Sequence, residues 1–135
     1  MQFPEHVCAL LTDERGWMVL QLRPRGARHA ASLMTCFGGK READEAVKDC
    51  LRRELHEETG WLPTAVGDAG IDLRCGQRFI ARFIPLLLPR GTCIRPESGF
   101  ITVRCAIRTL PALPLSPWHQ AVINGWLAGK TVVEI

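Results

Sequence analysis

Three glutamates stand close together near the middle of the chain, at Glu54, Glu57 and Glu58. The segment 44–59 around them contains no glycine or proline and is rich in good helix formers, so it is predicted to be a helix. At about 100° per residue, all three carboxylates fall on the same broad side as the apolar residues of that helix. Carboxylates crowded on a protein-facing side repel one another and lose hydration, which is costly unless cations neutralise them. The spacing therefore predicts a site for divalent metal ions.

The donor atoms available to such a site are carboxylate oxygens. They favour a hard ion, Mg²⁺ or Mn²⁺, over Zn²⁺, which would be expected to bring His or Cys into its coordination. Gly38 and Gly39, just ahead of the helix, allow the backbone to approach the carboxylates closely. Arg53 is within i,i+4 reach of Glu57 and is predicted to orient that carboxylate and keep it ionised. The alternatives are that the glutamates form a purely structural acidic patch and that Arg53 is an ordinary surface arginine.

The predicted helix has suitable residues at both ends. Asp44 is predicted to be its N-cap, and Gly60 is predicted to follow it in the left-handed conformation that ends many helices. Glu45 falls on the opposite side from the acidic cluster. We interpret it as a support at the helix N-terminus rather than as a metal ligand.

The whole segment 39–61 matches a known pattern, G-x5-E-x7-R-E-U-x-E-E-x-G-U, in which U is a bulky apolar residue. The fixed and apolar positions are filled, in order, by Gly39, Glu45, Arg53, Glu54, Leu55, Glu57, Glu58, Gly60 and Trp61. This segment resembles an unbroken Nudix box. The chain is therefore similar to the Nudix hydrolase family, with no subfamily assigned.

The resemblance implies a fold and an activity. The fold is α/β, a Nudix-type α/β/α sandwich with a mixed β-sheet. The activity is hydrolysis of a nucleoside diphosphate linked to another group, in which metal-assisted attack of water on phosphorus breaks a phosphoanhydride bond. The cofactor implied is Mg²⁺ or Mn²⁺.

The resemblance also assigns roles to residues. The implied metal ligands are three glutamates and one backbone carbonyl, from Glu54, Glu57, Glu58 and Gly38. One of the glutamates activates water, and Glu54 is our choice of base. Relatives often recruit a further catalytic glutamate from a later loop, and Glu97 is the candidate for it. The catalytic set is then Glu54, Arg53, Glu57 and Glu97, with Gly39, Glu45 and Gly60 as structural supports.

Positive charge is concentrated just ahead of the acidic helix, although the formal net charge is only +3. Such clustering can steer a polyphosphate toward a metal site. Arg23, Arg28 and Lys40 are predicted to bind substrate phosphates. The alternative is a basic surface loop, and a nucleic-acid partner is not expected because no broad basic stripe or recognisable module is present.

Residues outside the box leave the substrate open. The chain has no tyrosine, which disfavours the diadenosine polyphosphate hydrolases, and Gly76 stands where ADP-ribose hydrolases are expected to have proline. The spacing of Arg23, Arg28 and the glycine pair partly matches the coenzyme A pyrophosphatase signature. We expect a nucleoside triphosphate or dinucleotide-type substrate. The alternatives are a coenzyme A pyrophosphatase-like enzyme, an RNA 5′-end hydrolase and a non-catalytic nucleotide-sensing module of the same fold.

Composition predicts a compact folded protein, with 47% hydrophobic and 23% charged residues among 135. We expect a single Nudix hydrolase domain over residues 1–135. The longest apolar stretch is too short to cross a bilayer, the N-terminus lacks a secretion signal, and the six cysteines stand singly as predicted reduced thiols. These features predict a cytoplasmic protein that does not engage membranes. Relatives that pair as dimers suggest a homodimer by analogy.

Apolar runs elsewhere predict strands at 6–12, 17–23, 71–75, 78–88 and 102–108. Ser116-Pro117 predicts the start of a second helix. Apolar and small residues then recur at helical spacing and are predicted to pack on the sheet as core, namely Trp118, Ala121, Val122, Gly125 and Trp126.

Overall fold

The computed structural model describes residues 2–135 and shows a β-sheet with helices packed against it. Its strands are β1 (His6–Thr12), β2 (Met18–Leu22), β3 (Met34–Thr35), β4 (Gly38–Lys40), β5 (Ile71–Cys75), β6 (Arg78–Leu87), β7 (Ile101–Cys105) and β8 (Val132–Glu134). Its α-helices are α1 (Val47–Thr59) and α2 (Pro117–Leu127), and a 3₁₀ helix covers Ile107–Ala112. Over the described range, none of the helices has both the length and the apolar character that a membrane span requires.

The strands form one sheet with parallel and antiparallel neighbours. The main order is β3-β2-β1-β6-β5-β8, while β4 pairs with β1 and β7 pairs with β2. Strands β1 and β6 are parallel, as are β5 and β8, and the remaining pairs are antiparallel. The predicted mixed sheet is confirmed.

Alternate residues of β1 point to opposite faces of the sheet. Val7 and Leu11 belong to one apolar cluster with Leu55 of α1, whereas Leu10 belongs to a second cluster with Val122 of α2. The two helices therefore cover opposite faces. The predicted α/β/α sandwich is confirmed.

Helix α1 begins later than the sequence predicts. Asp44 has a φ of 62°, in the left-handed region, and the N-cap is Ala46, without a side-chain hydrogen bond. A turn precedes the helix, in which Glu45 N–H donates to the Glu42 carbonyl at 3.1 Å and Arg41 Nη1 donates to the Glu45 carbonyl at 3.1 Å. The prediction of Asp44 as N-cap was wrong because this turn holds it outside the helix.

The other helix ends agree with the sequence. Gly60 ends α1 with a φ of 74°, and its N–H donates to the His56 carbonyl at 2.9 Å. Helix α2 has Ser116 as its N-cap and Pro117 in its first turn. All six cysteines are free thiols, and only Cys75 and Cys93 are exposed.

The sequence prediction is less accurate for the short strands. The Gly38-Gly39 segment, which is not among the predicted strands, is part of strand β4. Strand β7 ends at Cys105, short of its predicted end at 108, because the chain turns into the 3₁₀ helix. Strands β3 and β8 are two and three residues long and carry no pattern that a sequence could show.

Candidate active site

Strand β4 brings the glycine pair against helix α1. It runs antiparallel to β1, with Gly38 opposite Cys8 and Gly39 opposite Val7. A Cβ on Gly38 would overlap the Val7 carbonyl oxygen, and a Cβ on Gly39 would overlap the carboxyl group of Glu54. The missing side chains therefore let β4 lie close to both β1 and α1.

Glu58 is buried at the interface between α1 and the sheet, with 6% of its surface exposed. Its carboxyl group accepts hydrogen bonds from the Gly38 N–H at 2.7 Å and from Gln21 Nε2 at 3.0 Å. Burial raises the pKa of Glu58 to about 8, against these two bonds, and the nearby charges of Glu54 and Glu97 raise it further. Among residues 2–135, Glu58 forms hydrogen bonds but no ion pair, so its ionised form is not neutralised by a direct cationic partner.

Glu54 lies one turn before Glu58 and is partly buried. Arg53 Nη1 donates to Glu54 Oε1 at 2.9 Å. Burial raises the pKa of Glu54, the Arg53 charge opposes that shift, and the Glu57 charge adds to it. Two carboxyl groups with raised pKa values therefore lie side by side next to the glycine pair.

Arg53 joins the acidic helix to the turn before it. Its Nε and Nη2 donate to the two carboxylate oxygens of Glu45 at 2.8 and 2.9 Å, and its Nη2 also donates to the Lys40 carbonyl at 3.1 Å. The paired bonds from Arg53 lower the pKa of Glu45 to about 2, against burial. Glu45 thus fixes Arg53, which in turn holds Glu54.

The guanidinium of Arg53 also reaches Glu57, the partner predicted for it, but this is its longer contact. The distance from Arg53 Nη1 to Glu57 Oε1 is 3.5 Å, and the shorter bonds go to Glu45 and Glu54. The side chain of Glu57 is 56% exposed, so it does not lie on the core-facing side with Glu58. Glu57 lies about 60° around the helix from Glu54, at the edge of the buried face rather than within it.

The carboxylate groups of the three glutamates do not converge on one point. Among residues 2–135, no group of three or more His, Cys, Asp and Glu side chains has the arrangement of a cation site. Glu54 and Glu57 turn oxygens toward Arg53, while Glu58 is held from the sheet side. The donor chemistry nevertheless fits Mg²⁺ or Mn²⁺, because all the donors are oxygens and a bound cation would offset the cost of burying the two carboxylates.

A loop after β6 places Glu97 near the same cluster. Arg95 N–H donates to the Thr59 carbonyl at 2.8 Å, which attaches the loop to the end of α1. Within the loop, Phe100 N–H donates to the Glu97 carbonyl at 2.9 Å. The charge of Glu97 contributes to the raised pKa of Glu58, so the loop brings this glutamate within electrostatic range of the acidic helix.

A cleft of about 580 Å³ opens on the other side of the glycine pair. Its walls come from the starts of β1 and α2, from β3, β4 and β6, and from the loop after β2. Gly38 and Gly39 line it, so the cleft and the acidic helix meet at these two residues. A second depression of about 500 Å³ lies beside Lys48 and Arg52, on the outer face of α1.

The predicted phosphate-binding residues divide into two groups. Arg23 and Lys40 line the cleft. Arg23 is positioned by a bond from its Nε to the His29 carbonyl at 2.7 Å, and its guanidinium lies 5.2 Å from the ring centre of Phe100. Arg28 is exposed on the loop after β2 and is not part of the cleft wall.

Three cleft residues were not predicted to be functional. Trp118 was expected in the core, but 43% of its surface is exposed and it lines the cleft, because the first turn of α2 lies at the cleft mouth. His6 and His119 also line the cleft. The Ser116-Pro117 helix start was a usable signal for Trp118 and His119, since it places both in the first turn.

The family model for the NUDIX domain matches residues 2–119. This match covers most of the chain and agrees with an α/β/α sandwich whose box helix lies against a glycine pair. The chain belongs to the NUDIX domain family. No curated protein matches it at a significant level.

Several solved structures share the fold. The ORF135 protein of E. coli is 27% identical, over 95% of this chain and 91% of that one, with a TM-score of 0.69. The MutT protein of Methanosarcina mazei Go1 is 20% identical, over 96% and 97% of the two chains, with a TM-score of 0.69. The NUDIX domain of Shewanella oneidensis NrtR, complexed with ADP ribose, is 16% identical over 96% and 90%, also with a TM-score of 0.69. At 20% and 16% identity, the last two show likeness of fold alone.

Proposed function

We propose that this protein is a metal-dependent hydrolase that breaks a phosphoanhydride bond in a nucleoside diphosphate linked to another moiety. A nucleoside triphosphate or a dinucleotide-type molecule is the proposed substrate. Membership of the NUDIX family is consistent with pyrophosphohydrolase activity. The observation that carries the proposal is the pair of buried or half-buried carboxyl groups, Glu58 and Glu54, at the glycine pair where the cleft ends.

The residues proposed to hold Mg²⁺ or Mn²⁺ are the three box glutamates and a backbone carbonyl, from Glu54, Glu57, Glu58 and Gly38. When bound, such an ion neutralises phosphate oxygens and makes water a better nucleophile near neutral pH. Glu54 is the proposed acceptor of the proton from the attacking water. Arg53 keeps the Glu54 carboxyl group in place, and Glu45 keeps Arg53 in place. Glu97 is the proposed additional catalytic carboxylate, since its loop approaches Glu58.

The cleft is the proposed site of the nucleotide. Arg23 and Lys40 offer positive charge on its wall and are the proposed phosphate-binding residues. Arg28 is retained only as a residue that steers polyphosphate toward the site, because it is exposed on the loop outside the cleft. Nucleotide binding by a domain of this fold is exemplified by the NrtR domain, which is complexed with ADP ribose, a nucleoside diphosphate linked to another moiety.

We also propose that the protein works in the cytoplasm, where free thiols such as its six cysteines stay reduced. A homodimer and a single-domain organisation over residues 1–135 stay predictions. Light scattering on the purified protein measures whether it forms a homodimer.

A panel of substrates tests the proposed function. The panel contains nucleoside triphosphates, dinucleotide polyphosphates, nucleotide sugars, coenzyme A and 5′-triphosphorylated RNA, each with Mg²⁺, with Mn²⁺ and with a chelator. We expect turnover of at least one member, with products identified by mass, and loss of that turnover with the chelator. Nucleotide binding without turnover of any member would contradict hydrolysis and support the sensing module instead. Preferred cleavage of coenzyme A or RNA would replace the proposed substrate class by that alternative.

A further inference from the structure

The cleft wall carries two histidines whose hydrogen bonds fix the position of their ring protons. His119 Nδ1 lies 3.1 Å from the backbone N–H of Cys36. A backbone N–H only donates, so Nδ1 of His119 must be the acceptor and carries no proton. Burial lowers the pKa of His119 to about 4, and the Arg23 charge adds to this shift, so the ring is neutral at pH 7. A neutral ring without a proton on Nδ1 has its proton on Nε2.

In His6, the hydrogen bond places the ring proton on Nδ1 instead. Its Nδ1 lies 3.3 Å from the carbonyl oxygen of Ile80. A carbonyl only accepts, so Nδ1 of His6 carries the proton in this bond. A neutral His6 then has Nε2 as a hydrogen-bond acceptor. His6 lies close enough to His119 to contribute to the lowered pKa of that ring.

The third polar group of the cleft is the hydroxyl group of Thr35, which differs from the two histidines in having no hydrogen-bond partner among the described residues. Thr35 is 4% exposed and lines the cleft. A buried hydroxyl group without a partner is unfavourable and is normally satisfied by a ligand or a water molecule. Beside these polar groups, Trp118 offers exposed aromatic surface, and the buried Phe83 supports the His119 ring edge-on at 5.2 Å.

We infer that His6 and His119 act as a fixed acceptor and a fixed donor that select the heterocyclic base of the substrate. The base is one whose edge offers an acceptor next to a donor, as in a cyclic amide, with Trp118 available to cover its face. This inference depends on the proposed function only in placing a nucleotide in the cleft. It assigns base selection to two residues from opposite ends of the chain.

The ring protons can be measured directly. Long-range ¹H–¹⁵N NMR spectra of histidine-labelled protein at pH 7.5 should show His119 protonated on Nε2 and His6 protonated on Nδ1. Assignments come from the His6→Phe and His119→Phe variants, each of which removes one ring. A proton on Nδ1 of His119, or the same tautomer for both rings, would overturn the inference.

Selection is tested with two triphosphates that differ only in the base edge. Inosine triphosphate has a carbonyl acceptor beside an N–H donor, whereas purine riboside triphosphate lacks both of these groups. With chelator present, calorimetry should show that the wild type binds the inosine compound at least about tenfold more tightly. His6→Phe and His119→Phe should each reduce the preference to within about threefold, while the exposed control His56→Phe keeps it.

The variants are first checked by circular dichroism and thermal melting. If His119→Phe fails to fold because the Cys36 N–H loses its acceptor, His119→Gln, which keeps an acceptor within the side chain, replaces it. Equal affinity of the wild type for both triphosphates would overturn base selection even if the enzyme hydrolyses nucleotides. Discriminating binding without any turnover would support this inference and contradict the proposed function, so the two can fail separately.

Discussion

Glu58 keeps its carboxyl group away from water, between the backbone of β4 and the side chain of Gln21. Burial raises the pKa of this group to about 8. Without a cation, the protonated form is therefore the more stable one at pH 7. A divalent cation that binds the ionised form would displace that proton, so burial of Glu58 couples cation binding to pH.

Replacing Glu58 by glutamine should separate activity from stability. Glu58→Gln keeps the size of the side chain but cannot ionise, so kcat is expected to fall by at least about two orders of magnitude. The exposed Glu14→Gln is the matched control and should leave kcat unchanged. Steady-state kinetics on the best substrate of the panel measures both variants.

The stability of the same variant has a definite pH dependence. Between pH 4.5, the reference pKa, and about 8, the folded protein keeps the Glu58 proton that the unfolded chain loses. The buried carboxyl therefore destabilises the wild type increasingly as pH rises through this window. In denaturant titrations without cation, the free energy of unfolding of Glu58→Gln relative to that of the wild type should increase as the pH rises from 5 to 8. A constant difference across that range, or an unaffected kcat, would contradict the assigned role of Glu58.

Single residues of the site differ in how far the sequence specifies them. The spacing of Glu54 and Glu58 on a helix was sufficient to predict that they lie near the glycine pair. The sequence predicts the contact between Arg53 and Glu57 but not the shorter bonds from Arg53 to Glu45, because these depend on the turn before α1. That turn contains Asp44 in a left-handed conformation, which a helix-propensity argument does not anticipate.

At the scale of elements, the site depends on the distance between β4 and α1. Gly39 has an ordinary φ, and a Cβ there would meet the flexible end of Glu54. Gly38 has a φ of 148° and a Cβ there would meet the backbone of β1. A side chain at 39 therefore displaces a carboxyl group, whereas one at 38 displaces a strand.

Gly39→Ala should thus reduce activity more than stability. Because the Glu54 carboxyl group must move, kcat/KM is expected to fall by at least about tenfold. The melting temperature should change little, since a flexible side chain can give way. Gly26→Ala, whose new Cβ would meet nothing within 4 Å, is the control. Full activity of Gly39→Ala would show that the position of Glu54 is not critical for the reaction.

The longer strands and the two α-helices were predictable from the sequence, because apolar periodicity distinguishes helices from strands. Strand β4 was not predictable, because a segment of three residues that begins with two glycines is more typical of a turn. Its pairing with β1 is a long-range contact, fixed by the Val7–Gly39 register rather than by local preference.

At the scale of the whole molecule, the fold joins an acidic helix on one face of the sheet to a cleft on the other. The glycine pair is the point of contact between them. The sequence predicts the acidic half, because its residues are contiguous in the chain. The cleft was not predicted, because it is assembled from β1, the loop after β2, and the first turn of α2, which only the folded sheet brings together.

The central claim is that the acidic helix binds a divalent ion beside the glycine pair. The most direct measurement is anomalous diffraction from a crystal of the wild-type protein soaked in Mn²⁺. The account predicts an anomalous peak coordinated by carboxylate oxygens of Glu54, Glu57 and Glu58, with these side chains turned toward the ion. A crystal in which Mn²⁺ is absent from this cluster, and the three carboxylates keep separate partners, would contradict it.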